Sequence, residues 1–210
     1  MKIKRLEVGP LETNCYIVWD EAAPTSAMIL DPGDEADLIV EACGECGVTP
    51  ALIVNTHAHP DHVAADAALK AAFPGSRLCI GRREEAMLGK QLREMSFLLG
   101  RRIESPKPDE LLEDGAELHV GGCALRVLWT PGHTPGHICL LAEAERPWVV
   151  FCGDLIFEDG VGRTDFPGGS AAQLRRSIEE RIFTLPDETV LLPGHGGSTT
   201  VGAEKGTTGR

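Results

Sequence analysis

The sequence predicts an α/β protein, with apolar strands gathered into sheets that helices must cover. Short apolar runs bounded by Gly and Pro recur along the 210 residues, and segments with apolar residues at helical spacing separate them. Runs such as Ala51-Leu52-Ile53-Val54 are too uniformly apolar for a sheet with one face in water. Strands and helices fall into two similar halves without a short tandem repeat. The length suits one domain, which hides roughly 70% of its unfolded surface.

In the first half, strands are expected over Lys2–Val8, Asn14–Trp19 and Ala27–Leu30, the last stopped by Asp31-Pro32-Gly33. Ala36–Cys46 is a helix closed by Gly47, and Ala51–Val54 is a strand running into Asn55-Thr56-His57-Ala58-His59-Pro60-Asp61-His62. A helix over Ala64–Ala72, a strand over Arg77–Ile80, a long helix over Arg83–Leu99 and a polar loop over Ser105–Glu113 follow. In the second half, Glu117–Val120 and Ala124–Trp129 form a hairpin across Gly121-Gly122, and Ile138–Leu141 and Trp148–Cys152 are strands. A glycine-rich loop occupies Asp154–Gly169, and Ser170 caps a helix over Ala171–Ile182. Thr189–Leu192 is the last strand. The expected domain is residues 1–195, followed by a flexible polar tail over 196–210.

A formal net charge of −12 argues against nucleic-acid and anionic-membrane partners. The cations at Arg82, Arg83, Arg101 and Arg102 alternate with Glu84, Glu85 and Glu104 and read as a solvated helix face. The N-terminus has no long apolar run behind its charges, so neither a secretory leader nor a membrane span is expected there. Seven scattered cysteines fit reduced thiols in a cytoplasm better than a disulfide framework. Cys43 and Cys46 have redox or metal-knuckle spacing but no second pair. The oligomeric state stays open.

His57-x-His59-x-Asp61-His62 places three imidazoles and a carboxylate within six residues after a strand. This donor mixture suits zinc, and also iron or manganese. Four candidates are too many for one catalytic ion with an open position, so they point to two metals roughly 3.5–4 Å apart. Further ligands are available at strand ends in His133, Asp154 and His195, each preceded by a glycine that allows close backbone approach. Singly, each reads as a surface histidine or a turn aspartate; beside the first cluster, all three read as ligands. His119 lies inside a strand and is not one.

Thr56–His62, Thr130–His137, Gly153-Asp154 and Pro193-Gly194-His195 together resemble the ordered motifs of the metallo-β-lactamase superfamily, over nearly the whole chain. The resemblance implies an αββα sandwich with the site at one edge. It implies His57, His59 and His133 on one metal, Asp61, His62 and His195 on the other, and Asp154 bridging. Asp31 occupies the position of an aspartate that supports the ligands without touching the metal, or is a simple turn residue.

Thr130–Cys139 and Val161–Pro167 are most similar to small glyoxalase II-like proteins, the hydroxyacylglutathione hydrolases. That resemblance implies hydrolysis of a small-molecule acyl thioester such as S-lactoylglutathione, by a hydroxide held between two metals, with Asp61 and Asp154 the carboxylates of the reacting centre. The longer glyoxalases carry a C-terminal helical extension that helps hold glutathione, and a lysine-tyrosine pair after the bridging aspartate; neither is seen here. Arg163 is the nearest cation. It either binds a substrate carboxylate or pairs with Asp165 to hold its loop.

A rival activity resides in the persulfide dioxygenases, which share the scaffold and a stretch much like Gly162-Arg163-Thr164-Asp165-Phe166 and use one iron. Against it stands His137, where those enzymes usually show cysteine. Nucleic-acid processing or a non-catalytic binding module fits less well.

Overall fold

The computed structural model describes residues 1–207. Among these residues, fourteen strands lie in two mixed six-stranded sheets and one two-stranded ribbon, the α/β class that the strand pattern requires. The chain divides into two units, one of Met1–Leu112 with His119–Cys123 and one of Glu113–Leu118 with Ala124 onward.

In the first unit, β1 (Lys2–Val8), β2 (Thr13–Trp19), β3 (Ala27–Leu30), β4 (Pro50–Asn55), β5 (Arg77–Gly81) and β6 (Glu110–Leu112) are neighbours in chain order. The first three pair antiparallel and the remaining pairs are parallel. Parallel pairing needs crossovers, and helices supply them. Helix α1 (Ala36–Cys46) lies between β3 and β4, and α2 (Pro60–Val63) with α3 (Asp66–Ala72) between β4 and β5. One face of the sheet carries Cys15, Ile17, Ile29, Ile53 and Leu78 against Ile39, Ala42 and Cys43 of α1 and Leu69 of α3. Alternate residues Tyr16, Met28, Leu52 and Val54 are equally buried, so neither face is wet.

The second sheet runs β14 (Thr199–Thr200), β13 (Val190–Pro193), β10 (Val149–Gly153), β9 (Ile138–Ala142), β8 (Cys123–Trp129), β7 (Glu117–Val120). Strands β10 and β13 pair parallel, and the crossover between them carries α5 (Ala171–Ser177). The Ser170 side chain accepts from the Gln173 amide and caps this helix as expected. Leu174, Ile178 and Ile182 bury one stripe of the continuing helical segment against Leu141, Val150 and Leu191.

The departures from expectation have local causes. The helix expected over Ala64–Ala72 is α3, which begins at Asp66, and Pro60 starts a separate single turn ahead of it. The long helix expected over Arg83–Leu99 is a 3₁₀ segment (Arg82–Leu88), α4 (Lys90–Met95) and a second 3₁₀ turn (Ser96–Leu99), interrupted at Gly89. Glu84 is fully buried, so this stretch is not the uniformly solvated face that its charges suggest. The loop over Ser105–Glu113 contains β6, and the glycine-rich loop contains the ribbon of β11 (Ile156–Phe157) and β12 (Gly160–Val161).

The tail expected to be flexible over 196–210 instead forms β14 and α6 (Val201–Thr207), with residues 208–210 outside the described part. Val201 is fully buried in the second core. Glu204 accepts from the Thr199 hydroxyl at 2.6 Å and the Asp159 amide at 3.2 Å, which ties the helix down. Among the described residues, no helix is long and apolar enough to cross a membrane.

Candidate metal centre

Strand β4 delivers the first candidate ligands. Beyond Asn55 the chain stays extended through His59 (φ −71°, ψ 149°), as a residue before proline must. Pro60 then opens α2, and that single turn carries Asp61 and His62. All four side chains are nearly or fully buried. His57 Nε2 lies 3.0 Å from His59 Nδ1. The His57 and His62 ring centres are 4.1 Å apart, and His62 Nε2 is 3.6 Å from Asp61 Oδ2. The first unit therefore gathers the whole four-residue cluster that the sequence singles out.

The hydrogen bonds behind the cluster fix which nitrogens face forward. Asp31 accepts the Thr56 amide at 2.7 Å and the Thr56 hydroxyl at 2.8 Å. With its proton committed to Asp31, Thr56 Oγ1 must accept from His57 Nδ1, 3.0 Å away. His57 Nε2 then carries the lone pair, as a metal ligand must. Asp31 Oδ2 also lies 3.1 Å from His62 Nδ1, which leaves His62 Nε2 as that ring's ligand atom. Asp31 is buried, and its backbone is left-handed at φ 51°.

The second unit brings together His133, Asp154 and His195. Asp154 follows β10, and His195 follows β13, whose Gly194 amide donates to the Gly153 carbonyl at 2.8 Å. Asp154 directs one oxygen to each histidine: Oδ2 is 3.6 Å from His133 Nε2, and Oδ1 is 3.8 Å from His195 Nε2. His133 Nδ1 lies 2.8 Å from the Arg163 carbonyl oxygen. A carbonyl only accepts, so Nδ1 holds the proton and Nε2 faces Asp154.

Arg163 thus touches the site through its backbone. Its guanidinium makes a two-pronged pair with Asp165 at 2.7 and 2.8 Å and stacks 3.8 Å from the Phe166 ring centre. Of the two readings of Arg163, the loop-holding pair is present. It keeps the Asp165 carboxyl low, at about 2, with the arginine hydrogen bond the first cause.

Two glycines have reasons of their own. A Cβ on Gly162 would sit 1.8 Å from the Asp154 carbonyl oxygen and 3.2 Å from His133 Nδ1. Gly132 has φ +141°, and a Cβ there would meet the Leu174 backbone at 2.2 Å. The glycine before His133 therefore admits α5 rather than a metal.

The donor set fits metal ions. Imidazoles with Nδ1 engaged from behind, together with carboxylates, form the nitrogen and oxygen environment that zinc, iron and manganese accept. Thr13, Thr56 and Glu84 are contributors that sequence reasoning missed. Thr13 Oγ1 donates to Asp61 Oδ2 at 3.4 Å, and Glu84 Oε2 accepts the Ala58 amide at 3.1 Å. Only Thr56 had a signal in the sequence, as the residue leading into the histidine motif.

The Metallo-beta-lactamase superfamily model matches residues 8–195, and the chain belongs to that superfamily. It is 34% identical to hydroxyacylglutathione hydrolase GloC of Haemophilus influenzae, over 98% of this chain and 95% of that one. Among solved structures, the BLEG-1 B3 metallo-beta-lactamase superposes with a TM-score of 0.89 at 35% identity, covering 98% and 97% of the two chains. TTHA1623, in a di-iron-bound form, gives 0.87 at 34% identity, covering 97% and 98%. Human mitochondrial persulfide dioxygenase ETHE1 is 31% identical over 87% of this chain and 63% of its own. The chain thus has the metallo-β-lactamase fold and the metal-binding His/Asp cluster of a metallo-hydrolase superfamily.

Proposed function

We propose that the protein is a binuclear metallo-hydrolase that cleaves a small-molecule acyl thioester, S-lactoylglutathione being the first candidate. His57, His59 and His133 would hold one ion, Asp61, His62 and His195 the other, and Asp154 would be shared. Zinc is the first choice, with iron or manganese as substitutes. The observation that carries the two-ion reading is the Asp154 carboxylate, whose two oxygens face two different histidines. The likeness to GloC along nearly the full length of both chains supports the thioester.

When bound, the ions would lower the pKa of a water and polarise the acyl carbonyl. The protein's own part is orientation. Thr56 and the Arg163 carbonyl hold protons on the Nδ1 atoms of His57 and His133, and Asp31 orders Thr56 and His62. Asp61 and Asp154 contribute negative charge to the reacting centre and hold their neighbouring histidines in register. Seven free cysteines and the net charge of −12 support a cytoplasmic enzyme without nucleic-acid or membrane partners.

Metal analysis of purified protein followed by S-lactoylglutathione hydrolysis tests the reading. About two ions per chain with turnover is the expected result. The second reading, a mononuclear-iron persulfide dioxygenase, is favoured by the likeness to ETHE1. One iron per chain with oxygen uptake on a glutathione persulfide would establish it instead. A penicillin in the same assay measures β-lactam cleavage, the activity that the name of BLEG-1 implies.

A further inference from the structure

Glu84 is a buried acidic side chain with no place in the ligand set. It sits in the 3₁₀ segment after β5, between exposed Arg83 and exposed Glu85, yet is 0% accessible. Burying a carboxylate is unfavourable unless bonded partners compensate it. Its Oε2 accepts the Ala58 amide at 3.1 Å. That N–H belongs to the peptide joining His57 to Ala58, so the bond fixes the plane between the two halves of the His57-x-His59 motif. Ala58 itself is packed against Ile80 and Met87, from the end of β5 and from the segment that carries Glu84. The peptide is therefore held by a carboxylate on one element and by apolar contacts to the same region.

We infer that Glu84 is a positioning residue for the metal centre, which through the Ala58 peptide sets the spacing of His57 and His59 before any ion binds. The inference rests on the proposal that these histidines bind metal. The 3.0 Å approach of His57 Nε2 to His59 Nδ1 is the geometry at stake. Rotation of the intervening peptide would carry the two rings apart, because each side chain leaves the backbone from one side of it. Thr56 restrains His57 from behind, and Glu84 restrains the peptide that follows.

The test separates reach from charge. Glu84→Gln keeps the length and an acceptor oxygen but loses the charge. Glu84→Asp keeps the charge but is one methylene too short for the Ala58 amide. Glu84→Ala loses both. Zn²⁺ affinity of the metal-free protein is measured by competition with a chromophoric chelator, alongside metal-free melting temperature. We expect Glu84→Asp and Glu84→Ala to bind Zn²⁺ about 10–100-fold more weakly, the range for partners that orient metal ligands, and Glu84→Gln to stay within about threefold of wild type by the same scale. Wild-type affinity in Glu84→Asp overturns the inference, as does equal loss in Glu84→Gln and Glu84→Asp. A lowered metal-free melting temperature with unchanged Zn²⁺ affinity would make Glu84 purely structural and also overturn it. If Glu84→Ala does not fold, the Gln and Asp variants decide alone. Failure of the wild-type protein to bind Zn²⁺ would instead refute the metal reading beneath it.

Discussion

Gly162→Ala is a one-carbon substitution aimed at the second half of the metal centre. An ideal Cβ at Gly162 lies 1.8 Å from the Asp154 carbonyl oxygen, whereas real Cβ atoms stay at least 3.0 Å from such neighbours. The difference, 3.0 − 1.8 = 1.2 Å, is the smallest movement that relieves the overlap. The obstacle is backbone rather than a flexible side-chain end, and the Gly162 amide itself donates a hydrogen bond to the Leu155 carbonyl at 3.2 Å. The shift must therefore displace Asp154 or the segment after β12 that carries Gly162. The Cβ would also press on His133 Nδ1 at 3.2 Å, where the Arg163 carbonyl fixes that ring. A misplacement of about 1 Å at a reacting centre costs on the order of 100-fold, or about 2.7 kcal/mol. We expect kcat/KM on S-lactoylglutathione to fall by about that factor, with weaker retention of metal against a chelator. Gly160→Ala, where an added Cβ meets nothing within 4 Å, is the control. A Gly162→Ala enzyme that keeps both ions and turns over within about threefold of wild type would refute the reasoning, since it amounts to less than about 1 kcal/mol.

Asp154→Ala should abolish turnover and release metal from both positions, because its two oxygens face His133 and His195; elemental analysis showing two retained ions would contradict the shared role. Arg163→Ala removes the pair with Asp165 while leaving the carbonyl that holds His133. It should therefore change KM for an anionic thioester and for a small neutral ester by similar small factors, and a selective rise for the anionic substrate would restore the carboxylate-binding role. Asp66 is fully buried, and burial first of all raises its carboxyl from 3.8 to about 7, against the lowering effect of hydrogen bonds from Ser105 and Asn55. The folded protein then binds the extra proton between about pH 4 and pH 7. The contribution of Asp66 to stability is thus full below pH 4 and lost as pH rises to about 7. Urea unfolding of metal-free wild type and Asp66→Asn across that range should show wild type losing stability relative to the variant, by a few kcal/mol at most; parallel curves would show that Asp66 is ionised throughout.

The sequence by itself determined most of the framework and singled out the His/Asp cluster. Strands β1 and β3 and helix α1 have the limits that their apolar runs and the Gly47 stop predict, because those signals are local. The ligand motifs are legible for the same reason: His57, His59, Asp61 and His62 are neighbours in the chain, and His133, Asp154 and His195 each follow a recognisable strand. Tertiary structure decided whatever depends on a partner distant in sequence. Glu84 reads as a solvated charge until Ala58, 26 residues away, is seen to donate to it. Asp31 is an ambiguous turn residue until Thr56 and His62 close on its carboxylate. The segment after Gly196 is polar enough to read as a mobile tail, yet Val201 and Glu204 find buried partners and order it. Polar residues carry weak local signals, and whether one is solvent-facing or a buried anchor is settled only when the chain brings it a hydrogen-bond partner.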